Sequence, residues 1–223
     1  MRALPGALRL AACLGVLWPG SPGAAEPAED RAIRLVLGLG SSAFRATDRL
    51  DAYYGDTEFL GEVSVEYAPW PRVPWRPYVG LVYLVLPFDQ AGFDRYEGLN
   101  PGGTVDANAG KLLLSSSGFR GFPLPRYWIR PFLQVSLVYG TFKEKYEYGQ
   151  LTPGPIFPSG TLKGRNTTVS YVGLGLGSGV RIDLAREFQP YVAVDLIWLT
   201  GGESDISLVP IRAGVCLVVD ERE

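Results

Sequence analysis

The chain has 223 residues, 47% hydrophobic and 20% charged, enough for one sizeable folded domain and too apolar for a disordered one. The formal net charge is −2 and there is no basic run, which excludes nucleic acid as a partner class. No histidine is present, so the commonest general base and the commonest zinc ligand are both missing, and no catalytic, cofactor or metal site is expected.

The N-terminus reads as a secretory signal. Arg2 and Arg9 precede an apolar run from Leu10 to Trp18, and Gly23 and Ala25 form a small-residue cleavage site. This predicts a signal peptide over 1–25 and a single domain over 26–223. Leu10-Ala11-Ala12-Cys13 offers a competing lipoprotein box, but cleavage there would leave almost no apolar region. Cys13 departs with the signal and Cys216 then has no partner, so no disulfide framework is expected. An exported, disulfide-free chain fits a bacterial envelope.

Beyond residue 25 no run is apolar for the roughly 18 residues a membrane helix needs. Instead, eight strand-like stretches follow one another, most with apolar residues at every second position. The first, 33–41, sets Ile33, Leu35, Leu37 and Leu39 against Arg34 and three small or apolar residues. The second, 59–68, sets Val63, Val65 and Tyr67 against Glu62, Ser64 and Glu66. The third, 76–86, is apolar on both faces and the fourth, 110–122, alternates poorly, so the period leaves their orientation open. The fifth, 129–142, sets Leu133, Val135, Leu137 and Tyr139 against Gln134, Ser136 and Gly140. The sixth, VGLGLGSGVRID over 172–183, carries glycine at 173, 175, 177 and 179. A dinucleotide-binding loop would continue into a helix. Here another strand follows, at 191–199, with Asp195 on its polar face. The eighth, 207–219, places Arg212 and Gly214 opposite an apolar set.

The connections after the second, fourth and sixth strands are short. Those after the first, third and fifth (42–58, 87–109 and 143–166) are long. Alternating short turns and long loops, with one oily face per strand, predicts an all-β, eight-stranded antiparallel up-and-down transmembrane β-barrel. Aromatic residues gather at the short turns: Tyr67, Trp70, Trp75 and Tyr78, then Phe122, Tyr127 and Trp128, then Tyr191. They are expected to form a girdle at the membrane interface.

If the oily faces meet lipid, the other faces enclose the lumen. Arg34, Glu62, Glu66, Arg181, Asp183, Asp195 and Arg212 would then form an interior charge network, with Gln134 among them. Eight strands leave room for side chains and not for a wide channel. The glycine column would make space for long side chains from facing strands, or permit sharp curvature.

The final stretch, Arg212-Ala-Gly214-Val-Cys-Leu217-Val-Val219, adds a terminal pattern of polar residue, glycine and alternating apolar residues. With it the chain resembles the small outer-membrane β-barrels of Gram-negative bacteria, the OmpA, OmpX and OmpW group. Members usually end on an aromatic residue; here Val219 stands in that place and Asp-Glu-Arg-Glu follows. The resemblance implies residence in the outer membrane, outer-membrane lipid as surroundings and the barrel-assembly machinery as a partner during biogenesis. It supplies no extracellular partner and carries no functional residue across, because members share architecture more than a site. Barrel enzymes of the outer membrane depend on histidine, so an enzyme is not expected. Three roles follow. The first is a structural or surface-interacting barrel whose loop aromatics, among them Tyr53, Tyr54, Phe93 and Tyr96, form the contact surface. The second is a narrow pore or conduit for small, including apolar, molecules. The third is a soluble periplasmic lipocalin-like binder, which would need an apolar interior and a polar exterior.

Overall fold

The computed structural model describes residues 32–47, 49–68, 74–97, 105–124, 127–148, 165–185, 188–202 and 204–220. The expected signal peptide lies outside them, as does Trp70. The strands are β1 (Ala32–Ala46), β2 (Thr57–Ala68), β3 (Trp75–Leu86), β4 (Val105–Ala107), β5 (Gly110–Gly121), β6 (Ile129–Tyr148), β7 (Arg165–Ile182), β8 (Phe188–Thr200) and β9 (Ile206–Asp220). Two short helices, α1 (Arg49–Tyr53) and α2 (Gln90–Glu97), sit in the first two long connections.

Eight of these strands close on themselves. Each pairs antiparallel with its neighbour in sequence, in the order β1, β2, β3, β5, β6, β7, β8, β9, and β9 returns to β1 from Ala32↔Asp220 to Ala46↔Ile206. Closure leaves no barrel strand with an unpaired edge, which is the condition for a sheet to stand in hydrocarbon. The short β4 is an accessory strand. It pairs with the far end of β6, Val105↔Tyr148 to Ala107↔Tyr146.

The alternation read from the sequence sorts the faces as expected wherever it is clear. Leu37, Leu39, Val63, Val65, Leu133, Leu137, Leu174, Leu176, Val194 and Leu196 are exposed, and their neighbours in sequence are mostly buried or half-buried. Leu133 is 57% exposed in the middle of this belt. A continuous apolar surface of this kind is far larger than a water-soluble monomer tolerates, and it faces lipid. A lipocalin-like arrangement is thereby inverted: the charge is inside and the oil outside.

β1 runs on to Ala46, past its expected end at 41, and two other strands extend farther still. β6 and β7 run on past the belt to Tyr148 and Arg165, still paired through Lys143↔Thr168 and Lys145↔Asn166. With β4 they form a three-stranded extension on the loop side, so part of what reads as a loop over 143–166 is sheet. Its exposed Lys143 and Lys145 suit water, not hydrocarbon. The short last connection, between β8 and β9, turns on Gly201 (φ 126°) and Gly202 (φ 67°). Both sit in the region where a Cβ is unfavourable, so two glycines achieve a tight turn where the other loop-side connections are long.

The first two loops fold back over the barrel mouth. Asp89 Oδ1 accepts the Ala91 N–H at 3.1 Å and caps α2. Asp89 N–H donates to the Tyr53 carbonyl at 2.8 Å, and Gly55 N–H to the Pro87 carbonyl at 3.1 Å, tying the loops together. Tyr53 packs on Phe93 with centroids 4.7 Å apart, and Tyr54 meets Phe142 edge-on at 5.3 Å. Tyr53, Tyr54 and Phe93 are therefore buried in a cap and do not form the contact surface expected of them; Tyr96 stays exposed.

Replacing Leu133 with arginine is expected to cost about 2–4 kcal/mol, because a guanidinium would face mid-depth lipid. Urea titration of the protein folded into lipid vesicles measures it; a loss within error of zero would mean that this face does not meet hydrocarbon.

A two-zone barrel interior as the candidate functional site

The interior divides along the barrel axis. Toward the loops it is apolar: Leu60, Val82, Leu84, Leu112, Leu114 and Val138 form one cluster with the capping Leu50, Tyr53 and Phe93. Toward the short turns it is charged. The boundary explains the two strands whose orientation the sequence leaves open. β3 turns Val82, Leu84 and Leu86 inward at its loop end, but Arg76 and Tyr78 inward at its turn end. β5 likewise turns Leu112 and Leu114 inward, then Arg120. Each is oily on both faces for half its length.

Glu66 is the centre of the charged zone and is fully buried. Arg181 reaches it twice, Nη1 to Oε1 at 3.1 Å and Nη2 to Oε2 at 2.8 Å. Arg76 Nη1 lies 3.1 Å from Oε1, and Arg120 Nη1 lies 3.1 Å from Oε2. Three guanidinium groups from β3, β5 and β7 thus converge on one carboxylate of β2. Aromatic faces take up part of their charge: Arg76 and Arg181 lie 4.5 and 4.8 Å from the centroid of Phe122, and Arg120 lies 4.9 Å from those of Tyr78 and Phe132.

A second cluster joins the first through a side-chain amide. Gln134 Oε1 accepts from Arg120 Nη2 at 2.9 Å, and Gln134 Nε2 donates to Asp195 Oδ1 at 2.8 Å. Asp195 also pairs with Arg212. Arg212 Nη1 in turn lies 2.6 Å from Glu62 Oε2, and the Tyr191 hydroxyl donates to the same oxygen at 2.8 Å. The chain of contacts crosses the lumen from β2 through β5, β6 and β8 to β9.

The glycine column of β7 finds its use here. A Cβ on Gly177 would collide with Asp195 Oδ1 and lie 2.8 Å from Gln134 Cγ. Gly175 leaves space for the Ser136 hydroxyl, 2.6 Å from where its Cβ would be. Small residues on one strand admit the polar side chains of its two neighbours.

Of the expected charge set, Glu62, Glu66, Arg181, Asp195 and Arg212 meet in this network. Arg34 is buried beside it, opposite Glu66 in register, but makes no ion pair among the described residues. Asp183 sits at the turn-side mouth, 2.5 Å from Arg130 Nη2. Burial holds its carboxyl above the usual range, and Arg130 and Arg181 offset only part of that rise. Arg76 and Arg120 are additions to the expected set, because their strands show no clear alternation.

The expected girdle separates into two groups. Tyr67, Trp75, Tyr127 and Trp128 are exposed at the turn end of the belt. Tyr78, Phe122 and Tyr191 are buried in the lumen, which corrects their assignment to the membrane interface. Their rings and hydroxyl groups serve the arginine network instead. Tyr83, Tyr139 and Trp198 are exposed at the loop end of the belt and complete the outline of an aromatic band there. Along β6 the distance from Trp128 to Tyr139 is about the 9–11 residues that a tilted strand needs to cross a bilayer.

Gln in place of Glu66 is expected to cost about 3–5 kcal/mol, since it leaves arginines buried without their carboxylate. Ala in place of Gly177 is expected to cost about 1–3 kcal/mol by overpacking, while Ala at Gly55, whose Cβ would meet nothing closer than 3.8 Å, should be near neutral. Urea midpoints of the three variants in one detergent check all three statements.

No family model matches the chain, and no curated protein sequence does. Among solved structures, the fold is similar to the Neisserial surface protein A, with a TM-score of 0.55 and 12% identity over 83% of this chain and 96% of that one. It is also similar to a major outer membrane protein of Thermus thermophilus, with a TM-score of 0.53 and 16% identity over 86% of this chain and 100% of that one. At these identities the likeness concerns the fold. A closed eight-stranded barrel with an oily outside, a filled inside and these structural neighbours has the fold of the small outer-membrane β-barrel proteins.

Proposed function

We propose that this protein is an integral outer-membrane barrel with a structural or surface-interacting role, its lumen closed to solute. The observation that carries this is the filling of the interior at both levels. The apolar cluster under α1 and α2 occupies the loop half, and the Glu66 and Asp195 networks occupy the turn half. A solute would have to break a buried ion-pair network and then pass a packed aliphatic and aromatic cap. Work that the barrel does for the cell then belongs to its surfaces: the belt in lipid, and the β4–β6–β7 extension with the loops beyond it. The neighbour named a surface protein supports a role of this kind.

Enzymatic work has little support in this interior. Glu62 and Glu66 lie on one face of β2, but both are engaged by guanidinium groups. In the run Ser115-Ser116-Ser117 of β5, the Ser115 hydroxyl donates to the Tyr139 carbonyl at 3.4 Å, a strand-to-strand contact.

The test is electrical. Full-length protein is produced in a Gram-negative host, purified from the outer membrane, shown to shift in mobility on boiling, and inserted into planar bilayers. Silence across the physiological voltage range is the expected result. Discrete, reproducible conductance steps would overturn the closed reading and leave the narrow pore.

A further inference from the structure

Among the described residues, the buried charges of the lumen do not balance. Among the described residues, Arg34, Arg76, Arg120, Arg181 and Arg212 are buried within the barrel wall against Glu62, Glu66 and Asp195. The mouth pair Arg130–Asp183 adds one charge of each sign. Among the described residues, these arginines outnumber the carboxylates by two in a space walled by lipid.

The surplus is localised. Arg76, Arg120 and Arg181 share Glu66 and rest on aromatic faces. Arg212 has two carboxylates to itself. Arg34 has neither, although it is only 4% exposed. Its Nε and Nη1 are buried without an acceptor, as are the Nε of Arg181, which shares Glu66 beside it, and that of Arg212 in the second cluster. The groups that face Arg34 electrostatically are Arg76, Arg181, Glu66, Asp183 and Cys216. Of these, Glu66 is shared by three arginines, and Asp183 gives its Oδ2 to Arg130 while its Oδ1 is buried without a donor. Cys216 is a buried cysteine outside any disulfide. Two guanidinium groups with spare N–H donors, in an excess of positive charge, are the chemistry of an anion site.

We propose that the turn-side end of the lumen holds a small inorganic anion, of halide size, at Arg34 and Arg181. Such an ion needs little more room than a water molecule, accepts several N–H donors at once, and supplies negative charge that water cannot. It would enter from the short-turn mouth and act as a structural counter-ion, so the closed lumen and the ion are compatible.

The experiment uses the full chain and bromide as probe. Crystals of wild type and of Arg34→Met are grown in sodium bromide, and anomalous difference maps are compared. In parallel, urea midpoints in detergent are measured in sodium chloride and in sodium gluconate at equal ionic strength, gluconate being too bulky to enter. Arg34→Met keeps much of the side chain's length, and its mobility shift on boiling verifies that it folds. The expected result is an anomalous peak beside the Arg34 and Arg181 guanidinium groups of wild type that is absent from the variant. The wild-type midpoint should also rise with chloride concentration as a saturable ligand requires, and the variant's should not. Bromide only at other positions would overturn the site. So would a peak without stabilisation, meaning binding at crystal concentration only, or a chloride effect of equal size in both proteins, meaning a general salt effect.

Discussion

An eight-stranded barrel encloses enough volume for side chains and little else, and everything inside it must be packed or paired. Lipid outside removes water as a fallback for backbone groups, so the strands must close. Closure then removes water as a fallback for the side chains within. The seam between β1 and β9, paired over the whole length of β1, is what turns a sheet into a sealed compartment. From that point each inward residue must find its partners among the inward residues of the other strands.

Two solutions are used, one at each end. The loop half is filled as a soluble core is filled, with aliphatic side chains and an aromatic cap brought down by α1 and α2. The turn half is filled with arginines and carboxylates. Buried ion pairs gain little over apolar packing once desolvation is counted. What the polar half does supply is direction and register. Glu66 accepts from β3, β5 and β7 only if all four strands hold their alignment, and a slip of one residue would turn an arginine to lipid.

This division also governs what the sequence reveals. Barrel class, strand number and the lipid face of β1, β2, β6 and β7 follow from period two, because there the inward residues are mostly polar or glycine; on β8 the small Ala193 and the charged Asp195 mark the inward face. β3 and β5 hide their orientation because Val82, Leu84, Leu112 and Leu114 are inward and as oily as their lipid-facing neighbours. Arg76 and Arg120, the residues that would have fixed it, stand near strand ends and look like turn charges. The aromatic residues mislead for a related reason. Proximity to a short turn places Tyr78, Phe122 and Tyr191 at the right depth for a girdle, but parity decides which side of the wall they occupy. Trp75 and Tyr78 are three apart and so face opposite ways; Phe122 continues past the end of β5 and tucks under Arg76 and Arg181. Long-range cation–π contacts have no local signature.

The glycine column shows how the same constraint reaches back into sequence composition. Glycine weakens a strand, since it offers no side chain to pack and has more freedom to lose. β7 nevertheless carries four at alternate inward positions. At Gly175 and Gly177 the occupants of the vacated space are the Ser136 hydroxyl, the Gln134 side chain and the Asp195 carboxylate. At Gly173 and Gly179 a Cβ would run into the backbone carbonyls of Trp198 and Val192 on β8. The first pair makes room for the network, and the second lets two strands approach closely on a tightly curved wall. A motif that looks like a nucleotide loop is thus the concave surface of a narrow cylinder. Its glycines are set by the size of what stands opposite them, which only the closed barrel defines.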